Sequence, residues 1–159
     1  MTPDGITEEI CRRFAGVVPK DSWGETALFY NPGHLLAHGV YFCTLKQHDG
    51  ANDHASALYR PDVFRVSIGL APASYANLFG NRPARPLKGG CVSTGHDFTI
   101  LNVLMPHPVY AWMGWAQILS LNRELFDGLL PLIGEAHAVA VEKFNKKTAI
   151  KSVREKTPD

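Results

Sequence analysis

Apolar residues recur along this chain with two different periods, and the order in which those periods appear leaves few folds open. Ile6, Ile10 and Phe14 repeat at helical spacing around Thr7, the expected N-cap, with Glu8 and Glu9 in the first turn and Gly16 ending the run. The period then shortens. Glu25 to Tyr30 reads as a strand closed by the turn Asn31-Pro32-Gly33, and Val40 to Leu45 reads as its return. A third strand, Val63 to Gly69, alternates: Phe64, Val66 and Ile68 point one way, while Arg65 and Ser67 point to a face that is exposed or lines a site. Pro72 opens a short helix through Tyr75, Leu78 and Phe79, which Gly80 ends. Trp115 to Leu119 is a further strand. Asn122 caps a last helix, where Phe126, Leu129, Ile133, Ala136, Ala140 and Phe144 form one stripe and Pro131 is expected to kink or break it near Leu130. Strands and helices do not alternate regularly, which excludes a parallel sheet and gives an α+β fold with an antiparallel sheet.

Charge and cysteine placement narrow the setting. Hydrophobic residues make up 45% of the 159 and charged residues 19%, enough to bury one core and too apolar for a disordered chain. We expect a single domain over residues 1–147 and a basic, flexible C-terminal tail over 148–159. Residues 143–159 carry net +4 and the rest net −3, so strong nucleic-acid binding is not expected; weak contact by the tail is the exception. Cys11, Cys43 and Cys91 are scattered, which argues against a disulfide framework or a zinc knuckle. No apolar run is long enough for a bilayer and the first nine residues are acidic, so the expected location is cytoplasmic, with no membrane partner.

Several short marks carry resemblances. Ala15-Gly16-Val17, Trp23-Gly24-Glu25 before an apolar strand, the helix Pro72 to Phe79, Trp115 in a late strand and the closing helix Leu129 to Phe144 resemble the MmcQ/YjbR-like domains. That resemblance implies a frataxin-like (CyaY-like) double-wing fold, with helices packed mainly on one face of the sheet. Two places depart from it. Ala111-Trp112-Met113-Gly114-Trp115 stands where those domains carry Asn-Lys-x-x-Trp, and Ala136-His137 where they carry Ser-Tyr, so the nucleic-acid binding suggested for that fold is kept only as a weak further alternative. Phe29-Tyr30-Asn31-Pro32-Gly33, Gly39-Val40-Tyr41-Phe42, Thr94-Gly95-His96-Asp97-Phe98 and Met105-Pro106-His107-Pro108 are similar to an uncharacterised bacterial domain-of-unknown-function family.

The polar residues offer three candidate chemistries. His96-Asp97 and His107 could form an acid–base site, since a carboxylate can orient an imidazole, although no hydrolase or metalloenzyme spacing surrounds them. His48, Asp53 and His54 in the long connection 46–61 have metal-ligand chemistry, but read equally well as a solvated loop; no metal and no cofactor is expected. Lys88-Gly89-Gly90 lacks the rest of a phosphate loop and reads as part of a mobile insert. Tyr30, Tyr41, Phe42, Tyr110, Trp112 and Trp115 make both sheet faces apolar, so the face without helices needs a cover: long loops, a ligand, or a second copy in a homodimer. We therefore expect segments 46–61 and 94–112 to meet over the sheet around a ligand site drawn from Arg60, His96, Asp97, His107 and Trp112. The expected function is a small binding or interaction module for an unidentified small molecule or protein, with an enzyme using His96, Asp97 or His107 as the alternative.

Overall fold

The computed structural model describes residues 1–22 and 24–156; Trp23 of the Trp23-Gly24-Glu25 mark and residues 157–159 of the expected tail lie outside them. The chain is an α+β fold in which six antiparallel strands carry three helices. In chain order these are α1 (Pro3–Arg13), β1 (Val17–Ser22), β2 (Glu25–Tyr30), β3 (Val40–Lys46), β4 (Arg65–Gly69), α2 (Pro72–Phe79), β5 (Met105–Pro106), β6 (Trp115–Leu119) and α3 (Arg123–Lys156). The sheet order is β1-β2-β3-β4-β6-β5, with every neighbouring pair antiparallel.

The core lies between the helices and one face of this sheet. Leu28, Cys43, Leu45, Val66, Ile68, Ala116 and Ile118 project from the strands against Ile6 and Ile10 of α1, Tyr75 of α2 and the α3 stripe from Phe126 to Phe144. Each strand contributes alternate residues, so the other face is built from the complementary set. One irregularity changes that set. Leu28 lies opposite Cys43 but Phe29 lies opposite Tyr41, so Phe42 is the extra residue of a β-bulge. Phe42 and Cys43 are both buried in the core as a result, and Tyr41 joins Thr44 and Lys46 on the far face.

Three local expectations are corrected. Helix α1 starts five residues earlier than Thr7 implied: Thr2 is the cap, its hydroxyl accepting from the Gly5 amide at 3.1 Å, while Thr7 donates to the Pro3 carbonyl at 3.0 Å. Strand β1 was not foreseen, because Pro19-Lys20-Asp21-Ser22 is polar and carries a proline; an edge strand tolerates both, since one row of its amides has no ladder to join. Helix α3 is not broken at Pro131. It runs unbroken from Arg123 to Lys156 with Pro131 exposed, and burial of Leu129, Ile133, Ala136, Ala140 and Phe144 on either side offsets the lost amide hydrogen bond. Asn122 does cap it, accepting from the Leu125 amide at 2.9 Å. Arg123 at its first turn donates to Glu9 of α1, joining the two terminal helices.

Candidate functional site

The sheet face turned away from the helices is polar at its centre and aromatic at one end. Register places Ala27, Thr44, Ser67 and Gln117 in one row across β2, β3, β4 and β6, with Glu25, Lys46 and Arg65 in the next. Trp115, Tyr41 and Phe29 lie beyond them: the Tyr41 and Trp115 rings stack with centroids 5.2 Å apart, and Phe29 meets Tyr41 at 5.7 Å. The connection from β3 to β4 and the segment from β5 to β6 close over this face. They enclose a cavity of about 690 Å³ lined by Lys46, Thr44, Ser67, Asp53, His107 and the aromatic wall, with Glu25, Gly50 to Asn52, Val109 and Tyr110 around it.

Asp53 organises the floor. A tight turn pairs Gly50 with Asp53 through backbone hydrogen bonds of 2.9 and 3.2 Å and points the carboxylate down at the sheet. There it accepts from both terminal nitrogens of Arg65, one at 2.9 Å, and from Lys46 Nζ at 3.2 Å. Burial raises the cost of its charge, but the Arg65 hydrogen bonds and the charges of Arg65 and Lys46 outweigh it and hold the carboxyl well below its ordinary range. Arg65 is 1% exposed, so this is a buried ion pair.

His107 stands in the roof, 1% exposed. Its Nδ1 accepts from the amides of Val109 and Tyr110 at 3.0 and 3.1 Å. An atom that accepts two N–H bonds carries no proton, so the ring proton sits on Nε2. Burial, then the neighbouring Arg65 charge, keep the ring neutral well below its ordinary titration range, with Asp53 opposing. His107 therefore presents a neutral N–H donor. It is not set up as a base, because a base would need the lone pair at Nε2. On the floor Ser67, 1% exposed, has a hydroxyl with no hydrogen-bond partner among the described residues. Tyr41 stays protonated, its hydroxyl pushed up by burial and by the nearby Tyr110 and Glu25.

The other residues singled out from sequence go elsewhere. Arg60 joins the two covering segments: its NH2 donates to Ser56 O at 3.1 Å and Thr99 O at 2.9 Å, and its Nε to Ala57 O at 2.9 Å. It lines a separate hollow of about 360 Å³ near Met1 and Phe64. His96 is exposed, with Nδ1 on the Thr94 hydroxyl at 2.8 Å, and lines neither cavity. Asp97 accepts from the Thr99 hydroxyl at 2.6 Å and amide at 3.0 Å, bonds that lower its carboxyl, so it does not orient His96. Trp112 donates its indole N–H to Val109 O at 3.0 Å under the Arg85 guanidinium. It lines a hollow of about 260 Å³ that shares Asn52, Val109 and Tyr110 with the main cavity. Segments 46–61 and 94–112 do meet over the sheet, and of the five candidates His107 faces their cavity. Among the described residues no three His, Cys, Asp or Glu side chains converge as a metal site would need.

Lys46, Arg65, Ser67 and Glu25 were not among the candidates. The available signal was the alternation of β4, which already set Arg65 and Ser67 on the face opposite the core. A family model described as a family of unknown function, DUF6194, matches residues 1–149. The chain belongs to the DUF6194 family. The match includes every strand and the floor, wall and roof of the cavity. No curated protein and no solved structure matches the chain. No described helix is long and apolar enough to cross a membrane.

Proposed function

We propose that this DUF6194 domain is a small-molecule binding module whose ligand sits in the cavity over the sheet, its polar end on the floor and its apolar body against Phe29, Tyr41, Tyr110 and Trp115. The unpartnered Ser67 hydroxyl carries this reading. A buried polar atom left without a partner costs about 1–3 kcal/mol, and it is tolerated where something bound can complete it. Cavity size agrees, since about 690 Å³ falls within the roughly 300–1,000 Å³ typical of ligand sites. The composition also agrees: an apolar wall with a few polar groups at fixed positions. His107 enters as a donor that orients the ligand, which favours binding over acid–base catalysis.

The test is a screen of small aromatic and aliphatic molecules by amide chemical-shift mapping on the folded chain. Binders should move resonances of β3, β4 and residues 50–53 and 107–110 together. Absence of binders, or shifts confined to other surfaces, refutes the proposal. The MmcQ/YjbR-like double-wing likeness belongs to the same proposal, supported by the helices packed on one sheet face; an experimental structure compared strand by strand with those domains tests it.

A further inference from the structure

We infer that the ligand of this cavity is an anion, a carboxylate carried on a flat apolar body, which enters with its charged end toward the floor. The inference rests on the binding reading above and adds the ligand's charge. It follows from counting what the lining groups still have to give. Lys46 has three N–H bonds and directs one to Asp53. The Ser67 hydroxyl has no partner among the described residues, and His107 offers Nε2–H. Beneath them Arg65 Nε also has no partner among the described residues. The floor carboxylate, Asp53, is by contrast engaged through both oxygens, one on Arg65 and the other on Arg65 and Lys46. Lys46, Arg65 and His107 can only donate there, while the Ser67 hydroxyl can donate or accept, so most of the free capacity of the floor and roof is donor capacity, and a ligand must bring acceptors to use it.

Charge points the same way. Lys46 and Arg65 contribute two buried positive charges against the one negative charge of Asp53, and the neutral His107 adds none. The surplus of one positive charge sits on buried side chains, so it acts more strongly than a surface lysine would. Glu25 lies across from Lys46 on β2, is partly exposed, and makes no ion pair with it among the described residues. It borders the cavity and opposes the entry of an anion without cancelling the buried excess. A cationic ligand would find Glu25 and the rings but would have to sit over Lys46 and Arg65.

Three probes of one shape decide it: 2-naphthoate, 2-naphthamide and 2-naphthylmethylammonium, titrated into the intact chain by calorimetry with amide shifts read alongside. A charge-assisted hydrogen bond is worth roughly 1.5–3 kcal/mol, so naphthoate should bind at least about tenfold more tightly than either analogue. In Lys46→Met that preference should fall to within about threefold, Asp53 remaining paired with Arg65. Ser67→Ala removes a hydroxyl with no partner among the described residues, so the melting temperature should stay at the wild-type value or rise while naphthoate binding weakens severalfold. Equal or tighter binding of the amide or the ammonium overturns the anion inference and leaves the binding reading standing. So does an acid preference undiminished in both variants, or naphthoate shifts mapping to the basic end of α3. If no probe moves the cavity resonances at millimolar concentration, both readings fall.

Discussion

Replacing Asp53 with Asn keeps the shape of the side chain and removes the one negative charge between Arg65 and Lys46. The cost can be bounded from burial. Arg65 exposes 1% of its side chain and Asp53 12%, so the value for an exposed pair, about 0–1 kcal/mol, does not apply. Leaving a buried charge without its partner typically costs about 3–5 kcal/mol. For a chain of this size each kcal/mol lowers Tm by about 2–4 °C, which puts Asp53→Asn roughly 6–20 °C below wild type. The cause is the stranded cation, so adding Arg65→Met to Asp53→Asn should recover much of the loss, giving a coupling of at least about 1 kcal/mol in a double-mutant cycle. Urea unfolding followed by circular dichroism and tryptophan fluorescence measures each corner. A loss under about 1 kcal/mol for Asp53→Asn, or an additive cycle, would show that the ion pair does not organise the floor.

Other expectations follow from the same contacts. The fold holds His107 neutral while the unfolded chain takes up a proton near about pH 6.5, so the unfolded state binds more protons and stability falls as pH drops below that value, by at most about 1.4 kcal/mol per pH unit. His107→Asn, which keeps an acceptor for the Val109 and Tyr110 amides but cannot titrate, should flatten the difference in urea midpoint between pH 7 and 5.5. Gly39→Ala should destabilise by at least about 1–3 kcal/mol, because φ is +87° there and a Cβ would lie 2.6 Å from the Tyr30 carbonyl oxygen; a thermal melt checks it. Pro131→Ala should raise stability by about 1–3 kcal/mol, since it restores an amide donor inside α3 at an exposed position; equal or lower Tm would mean that proline is accommodated without cost.

What could be read from the sequence was what is local. The strands from Glu25 to Tyr30 and Val40 to Leu45 announced themselves as short apolar runs on either side of a Pro-Gly turn, the alternation of β4 through its period of two, and the α3 stripe through its helical spacing. Strand β1 did not, because an edge needs no apolar alternation. The site is a product of register. Lys46 and Arg65, nineteen residues apart, become neighbours only when β3 and β4 pair, and the Phe42 bulge that moves Tyr41 to the cavity has no mark in the composition. Adjacency misled in the opposite sense at His96-Asp97. Short polar side chains in a turn find partners two residues away, here Thr94 and Thr99, more readily than each other. His107 was legible as a residue worth watching, but its tautomer depends on two amides that only the folded turn supplies.

The cover of the cavity has little regular secondary structure, yet it is fastened to the middle of the sheet. Gln117, at the centre of β6, accepts from the Ser56 hydroxyl at 2.9 Å and donates to the Phe98 carbonyl at 3.2 Å, while Arg60 links Ser56 to Thr99. Irregular segments bound in this way share the fate of the strand beneath them, and their amides should exchange with deuterium only when β6 itself opens. Leu58, whose amide is held by Asp49 at 2.9 Å, is the natural reporter. Molecules would then come and go past the rim near Glu25 and Tyr110, at rates set by diffusion through a standing aperture, with no roof to lift.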